Sequence, residues 1–354
     1  MKIPRSAAGV GVRIGDGTAG FSGVCTCASV WACPVHAAKI GAERAREELT
    51  PVIKYVIDDA GGSVVHATFT VAHTSGIPLA ETRKAVQSAW EFLLSSRRWR
   101  LIDKEFDRLG FTRAFETTWG KENGWHPHLH VLLYLGNKIE TEECLRLVNL
   151  MFDVYQRGLE RHGFTCSFVR GIHAEVATTR RDADVVLGKY MTKIASEITR
   201  QDKKQAQGGR FTPFDLLREA VDQGNADMLD LWHEYEQATF GTKLLTWSGR
   251  RKEIADIRTL AGLRREKTDQ EIADDELGDP IAVVIPTEEW RGVWWRRTQL
   301  LDAAELGGAG AAVDWLTERG IRWELPPPKV RAWRPDAEIT RELLRRSART
   351  VLRT

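Results

Sequence analysis

The sequence has no run of about 18 consecutive apolar residues, so it offers no candidate membrane-spanning helix. It also lacks an excess of charge of one sign, since 51 lysines and arginines face 49 acidic residues. Net charge alone therefore indicates no polyanionic partner, and a nucleic-acid surface would have to come from local clusters of basic residues. The N-terminus carries no long apolar segment of the kind found in signal peptides, so we expect a cytoplasmic protein without a membrane partner.

Cysteine is scarce and odd in number, with five residues of which three fall between Cys25 and Cys33. This usage argues against a disulfide framework and favours reduced thiols. Cys33 and His36 have the spacing of a two-residue knuckle, and thiolate and imidazole groups are the usual ligands of structural Zn²⁺. We predict a zinc site in which Cys25, Cys27 or both join Cys33 and His36. Cys144 and Cys166 are reserve ligands, and buried free cysteines are the alternative.

From Ser63 onwards, alternating and helical patterns of apolar residues follow each other along the chain. Strand patterns cover 63–72, 111–119, 126–135 and 164–172, and helical patterns cover 79–94, 140–160 and 182–197. The order is βαββαβα. It predicts an α+β fold of the ferredoxin-like type, with an antiparallel sheet, helices on one face and the other face open to a substrate.

The strand pattern at 126–135 carries His126, His128 and His130, which are two residues apart and therefore project from one face of the strand. Imidazoles fixed on a strand can hold a divalent ion with open coordination positions, which can polarise a phosphodiester oxygen. The alternative is a surface strand that happens to carry histidines. Glu116 shares a face of the preceding strand and is a further candidate ligand, although a lone strand glutamate is often only a solvated group.

The helix after the last predicted strand contains Tyr190 and Lys193, which are three residues apart and adjacent on one helix face. A phenol has a pKa near 10 and needs a neighbouring cation or a polarised phosphate to act as a nucleophile. Tyr190 is therefore the candidate nucleophile and Lys193 its cation. The alternative is a half-buried tyrosine beside a solvated lysine. Tyr134 is the nearest rival, because it lies on the histidine strand.

The combination of HPHLHVLL with KYMTK resembles the HUH endonucleases, and in particular the rolling-circle replication initiators of actinobacterial plasmids. The segments CASVWACPVHAAKI, ATFTVAH, AFETTWGKENGWHPHLHVLLYLG, RFTPFDLL and LWHEYEQATFGTKLLTWSGR carry the same resemblance, which covers roughly residues 20 to 255. The resemblance implies that Tyr190 nicks an origin strand and becomes linked to its 5′ phosphate, while His128 and His130 bind the metal. The strand is joined again at termination.

Two positions depart from the pattern of that family. Some members have a glutamate four residues before the tyrosine, where this chain has Val186. The cysteine knuckle of the family commonly ends in a second cysteine, where this chain has His36. The first departure concerns the termination step, and the second changes the ligand geometry of the zinc site.

Cofactors and partners follow from the same residues. Imidazole and carboxylate ligands facing an oxygen-rich substrate favour Mn²⁺ or Mg²⁺. We expect single-stranded or hairpin-extruded origin DNA as substrate, with a host helicase and polymerase as partners. The basic residues around the tyrosine helix would contact the phosphate backbone of this DNA. They are Arg180, Arg181, Lys189, Arg200, Lys203, Lys204 and Arg210.

Composition and resemblance together predict five segments. They are a zinc-binding segment at 1–60, the endonuclease domain at 61–200, a helical extension at 201–267, an acidic linker at 268–280 and an accessory domain with a basic C-terminal helix at 281–354. A relaxase or single-strand transposase is an alternative of the same chemistry, although no GxxxxGK[ST] motif is present. A non-enzymatic zinc-containing DNA-binding protein is the alternative of another class.

Overall fold

The computed structural model divides the chain into two compact units, one formed by residues 1–25 together with 276–354 and the other by residues 26–275. The predicted N-terminal segment 1–60 is therefore shared between the two units. The residues that the structure describes are 4, 9–15, 18–188, 210–248, 256–263, 266–274 and 281–326. Within these ranges, no helix is both long enough and apolar enough to cross a membrane.

The described strands are, in chain order, β1 (Val10–Gly15), β2 (Thr18–Ser22), β3 (Ser63–Phe69), β4 (Arg108–Gly120), β5 (Gly124–Leu135), β6 (Ile172–Ala177), β7 (Arg210–Phe211), β8 (Leu245–Trp247) and β9 (Ile281–Ile285). The described helices are α1 (Pro34–Arg44), α2 (Thr50–Lys54), α3 (Leu79–Ser95), α4 (Arg97–Glu105), α5 (Thr141–Glu160), α6 (Phe168–Gly171), α7 (residues 180–188), α8 (Pro213–Gln223), α9 (Ala226–Thr239), α10 (Ile257–Leu260), α11 (Asp269–Asp274), α12 (Trp290–Trp294) and α13 (Arg297–Glu318). Two π-helical segments, Ala45–Leu49 and Tyr55–Asp59, extend α1 and α2 into one continuous helix.

The larger unit is built on a sheet in which β6, β3, β5 and β4 lie side by side in that order. Every pair of neighbours is antiparallel. Helices connect β3 to β4 and β5 to β6, which is the predicted βαββαβ order. The α+β class with an antiparallel sheet is confirmed. The short strands β7 and β8 both pair with β4.

Helices α3 and α5 pack against one face of this sheet. Phe69 at the end of β3 contacts Trp90 of α3 and Tyr155 of α5, with ring centroids 5.3 and 5.0 Å apart. All three side chains are fully buried. The two helices approach closely at Gly158, where an added Cβ would lie 2.7 Å from the Ala89 Cα. Glycine is therefore required at this helix crossing.

The structure corrects the predicted strand at 164–172. Residues 164–171 make one isolated bridge, between Ala72 and Thr165, and then the single helical turn α6. The turn is tight, because an added Cβ at Gly171 would lie 2.7 Å from the Cys166 Sγ. The strand begins only after this turn, at Ile172, where the chain pairs with β3.

Two further predictions are corrected in the segment after residue 201. The expected helical extension contains α8 and α9, but it also contributes β7 and β8 to the sheet. The expected acidic linker begins as helix α11, in which Ile272 and Ala273 are buried. Asp269 of this helix accepts a hydrogen bond from the buried Arg44 at 2.9 Å, so its charge is paired within the larger unit.

The smaller unit has a three-stranded antiparallel sheet with the order β2-β1-β9. Its core is apolar and includes Val12, Val283, Trp290 and Leu300 from the sheet, α12 and α13. The compact unit that contains the predicted accessory domain at 281–354 therefore also includes β1 and β2 from the N-terminal segment. The predicted basic C-terminal helix lies outside the described residues.

We expect Gly158→Ala to lower the free energy of unfolding by about 1–3 kcal/mol, because the new methyl group would overpack the crossing of α3 and α5. Gly41→Ala is the matched control. Gly41 also lies in a helix, but an added Cβ there meets no atom within 4 Å, so this variant should keep or gain up to about 1 kcal/mol. Urea denaturation followed by circular dichroism measures both. Equal stability of the two variants would contradict the close packing at Gly158.

Candidate metal centre

The register of the β4–β5 hairpin assembles the candidate metal centre. Glu116 lies directly opposite His128, and His130 lies opposite Ala114 two residues further along. Side chains two residues apart on a strand share one face, so the three polar groups project from the same side of the sheet. The apolar residues between them, such as Leu129, face the helices instead.

Glu116, His128 and His130 come close enough together to ligate one ion. Their ligand atoms all lie within 4.8 Å of one another. The His130 Nε2 is 2.5 Å from the Glu116 Oε2, and the His128 Nδ1 is 3.8 Å from the same oxygen. The structure thus brings together three of the four residues that the sequence put forward as ligands.

Two side chains of β3 contact the His130 ring and hold it in place. Its Nδ1 lies 3.0 Å from the Thr68 hydroxyl and 3.4 Å from the His66 Nε2. Contacts of this kind fix the orientation of a ligating imidazole. His66 was missed in the sequence, although it lies two residues before Thr68 and therefore on the same face of β3.

The three groups differ in their exposure to solvent. The side chain of His130 is fully buried, whereas those of His128 and Glu116 are 19 and 12% exposed. Burial alone would raise the pKa of the Glu116 carboxyl, but hydrogen bonds and positive charge from His128 and His130 outweigh it. The pKa of Glu116 is therefore held well below its usual range, and the carboxylate is available as an anionic ligand.

This donor set fits a divalent ion. Two imidazoles and one carboxylate suit Mn²⁺ and related transition metals, and three protein ligands leave coordination positions open. His128 and Glu116 are on the side that remains accessible. A substrate oxygen or water could complete the coordination there.

His126 does not join this group but pairs with His73, which the sequence analysis missed. The His73 Nε2 contacts the His126 Nδ1, and the two rings are 4.6 Å apart. Burial, assisted by the neighbouring His128 and His73, lowers the pKa of His126 to about 3. Both histidines line a cleft of about 1020 Å³ that also contains Arg170 and Arg210.

The predicted DNA-binding residues are only partly described. Arg180 and Arg181 begin α7, and Arg210 begins β7 and lines the cleft. Arg170, which the sequence analysis did not include, lines the same cleft. The remaining predicted residues, Lys189, Arg200, Lys203 and Lys204, lie outside the described residues.

The candidate nucleophile Tyr190 and its neighbour Lys193 also lie outside the described residues, just after the last described residue of α7. The rival Tyr134 is fully buried, and its hydroxyl is 2.6 Å from the Thr112 hydroxyl. Burial raises the pKa of Tyr134 far above its usual value. A phenol in this position is a poor nucleophile. Val186, four residues before Tyr190, is a buried residue of α7.

A second cluster contains Cys27, Cys33 and His36, whose ligand atoms also lie within 4.8 Å of one another. The Cys27 Sγ is 3.0 Å from the His36 Nδ1. Burial, reinforced by the neighbouring Cys33, raises the pKa of the Cys27 thiol. Thiolates and an imidazole at this spacing fit Zn²⁺, which would stabilise the deprotonated thiols. Cys25, predicted as a further ligand, is exposed and belongs to the smaller unit.

Fold and site thus define an α+β protein with a candidate divalent-metal centre on one face of an antiparallel sheet. Comparison with known proteins relates the chain to Protein rep of Streptomyces lividans, with 29% identity over an alignment of 359 positions that covers 82% of this chain and 77% of that protein. The predicted resemblance to Rep proteins of the actinobacterial type is confirmed.

A shorter alignment of 162 positions, with 28% identity, relates 39% of the chain to 35% of the neomycin resistance protein of Streptomyces cyanogenus. No family model matches the chain. No solved structure matches it either.

We expect the purified protein to retain about one Zn²⁺ per chain after weakly bound metals have been removed. Cys33→Ser should lose this zinc, because it removes one of the three clustered ligands. Cys25→Ser is the matched control and should keep it. Elemental analysis of the three proteins tests the prediction. Absence of zinc from the unsubstituted protein would mean that the cysteines are free thiols and not zinc ligands.

We expect Glu116→Gln to weaken Mn²⁺ binding by about tenfold or more, because the substitution removes the anionic ligand while keeping its size. Glu91→Gln is the control. Glu91 is an exposed residue of α3, which packs on the opposite face of the sheet, so its substitution should leave Mn²⁺ affinity unchanged. Isothermal titration measures both affinities. Equal affinities for the two variants would exclude Glu116 as a ligand.

Proposed function

We propose that the protein is a rolling-circle replication initiator that nicks origin DNA in a metal-dependent reaction of the HUH endonuclease type. The group Glu116, His128 and His130 carries this proposal, because it fits a divalent ion on an accessible part of an antiparallel sheet. The relationship to a Streptomyces protein named Rep supports the same function. Mn²⁺ or Mg²⁺ is the proposed ion of this centre, and Zn²⁺ that of the Cys27 cluster.

When bound, the divalent ion would act as a Lewis acid towards an oxygen of the scissile phosphate. Glu116, His128 and His130 fix its position, and Thr68 and His66 keep the His130 ring in the required orientation. The buried sheet beneath them restricts movement of the ligands. In this arrangement the bound ion and its ligands would hold the scissile phosphate in position before any bond is broken.

The proposed nucleophile is the Tyr190 hydroxyl. Its oxygen would form a bond to phosphorus and release the phenolic proton to solvent, while the bond from phosphorus to the 3′ oxygen breaks and that oxygen takes up a proton from solvent. The products are a 5′-phosphotyrosine and a free 3′ hydroxyl that a polymerase can extend. The reverse attack by a 3′ hydroxyl would join the strand at termination. Lys193, three residues after Tyr190, would favour the phenolate by its charge.

Burial of the other tyrosines supports this choice of nucleophile. Tyr134, Tyr155 and Tyr235 are at most 1% exposed, so none of them can reach a DNA strand without unpacking the core. Tyr155 also donates its hydroxyl hydrogen to the Thr70 carbonyl at 3.2 Å. Tyr55 is half-buried on the helix that runs from Pro34 to Asp59. Tyr190 is therefore the proposed nucleophile among the five tyrosines of the sequence.

The proposed substrate is single-stranded or hairpin-extruded origin DNA, because a scissile phosphate must enter the site without its complementary strand. Arg170 and Arg210 line the cleft beside the metal centre and can contact the phosphates of such a strand. A host helicase and polymerase would act on the nicked product. A relaxase or transposase would form the same type of adduct, but on a transfer origin or a transposon end.

We expect the purified protein with Mn²⁺ to form a covalent adduct with a single-stranded origin oligonucleotide. Tyr190→Phe should abolish the adduct while DNA binding is retained, because only one hydroxyl group is removed. Tyr134→Phe is the matched control and should keep adduct formation, with a loss of about 1 kcal/mol in stability from its hydrogen bond to Thr112.

Denaturing gels and peptide mapping of the adduct measure these outcomes. An adduct that persists in Tyr190→Phe would assign the reaction to another residue. DNA binding without cleavage in the unsubstituted protein would favour a non-enzymatic zinc-containing DNA-binding protein.

A further inference from the structure

The imidazole row continues beyond the candidate metal centre into the cleft. His126 and His128 have ring centroids 4.3 Å apart, and His73 contacts His126 from the segment that follows β3. His73 and His126 are not among the candidate ligands of the Glu116 centre, although both are half-buried and face each other. The two facing nitrogens can share one hydrogen, or both can bind a cation that replaces it.

The His73 ring has the tautomer of a metal ligand. Its Nδ1–H donates to the Asn123 carbonyl at 2.8 Å, which leaves the lone pair on Nε2. That lone pair points at the His126 Nδ1. Ligating histidines usually donate their other ring N–H to a carbonyl or carboxylate in this way, which fixes the ring and raises its basicity as a ligand.

A third polar atom lies next to this pair. Thr118 is directly opposite His126 in the β4–β5 register, so both side chains share one face of the sheet. The Thr118 Oγ1 is buried and has no hydrogen-bond partner among the described residues. A buried hydroxyl without a partner is costly, and a cation or an ordered water bound to one would satisfy it.

The backbone around His73 is closely packed. Gly124, at the start of β5, has a φ of +73° and lies against the segment after His73, because an added Cβ would be 3.2 Å from the Ser75 Cα. The carbonyl that accepts from His73 belongs to the turn just before this glycine. The hairpin turn therefore holds His73 in position before any ligand arrives.

We propose that His73 and His126, with the Thr118 hydroxyl, form a second cation site beside the Glu116 centre. Imidazole ligands suit transition-metal ions such as Zn²⁺, Co²⁺ or Mn²⁺ better than Mg²⁺.

The site opens into the cleft that Arg170 and Arg210 line, so its remaining coordination positions face that space. Water and a phosphate oxygen of the DNA strand would occupy them, an assignment that rests on the proposed function. The second ion would then hold a phosphate next to the scissile one.

The test counts Co²⁺ ions bound per chain by isothermal titration in the full-length Glu116→Gln protein, in which the first centre is weakened. Adding His73→Gln should remove one bound Co²⁺, and adding His126→Gln should remove the same ion. His162→Gln is the matched control, because His162 is an exposed imidazole outside both clusters. The Cys27 cluster is common to all variants and cancels in the comparison.

Far-UV circular dichroism establishes that each variant is folded before its ions are counted, and Thr118→Val should lower the affinity without removing the ion. Unchanged Co²⁺ binding in His73→Gln, or loss in His126→Gln alone, would overturn the second site. Adduct formation is assayed separately. Absence of the adduct together with a His73-dependent ion would refute the proposed function and leave this site in place.

Discussion

The register between β4 and β5 is the constraint on which the candidate metal centre depends. Because side chains alternate between the two faces of a strand, a slip of one residue would turn His128 and His130 towards the helices. It would also bring the apolar residues between them onto the polar face. The core packing of α3 and α5 against Phe69 and its neighbours opposes such a slip, since it buries the apolar residues of both strands. The hydrophobic face thus fixes the positions of the ligands on the opposite one.

The metal centre and the fold are coupled through burial as well. A buried carboxylate such as Glu116 is costly unless it is paired, and here two imidazoles supply the pairing. The full burial of His130 means that it is both a candidate ligand and a core residue. The sequence predicted a row of ligands on the face of the sheet that is open to a substrate, whereas the structure places His130 of this row inside the protein. An isosteric change at Glu116 therefore separates metal binding from packing better than truncation of His130.

Local patterns predicted much of the larger unit and missed what depends on distant pairing. The strands around residues 63, 111 and 126 and the helices around 79 and 140 have strong periodicity, and each was placed within a few residues of its observed bounds. The strands β7 and β8 have only two and three residues and exist because they pair with β4. His73 was missed for a similar reason, since its relation to His126 arises from the packing of a loop against a hairpin turn. The spacing of Cys33 and His36 indicated their proximity, and in the structure their ligand atoms lie within 4.8 Å of each other.

The pairing of β1 with β9 has a consequence for the order of folding during synthesis. Val10 pairs with Ile285, so the sheet of the smaller unit joins segments that enclose the whole of the larger unit in sequence. A ribosome releases residues 26–275 before it releases β9, and the larger unit can acquire its core while β1 and β2 still lack their third strand. The N-terminal hairpin must wait with an unpaired edge, which is a known source of misassembly in nascent chains.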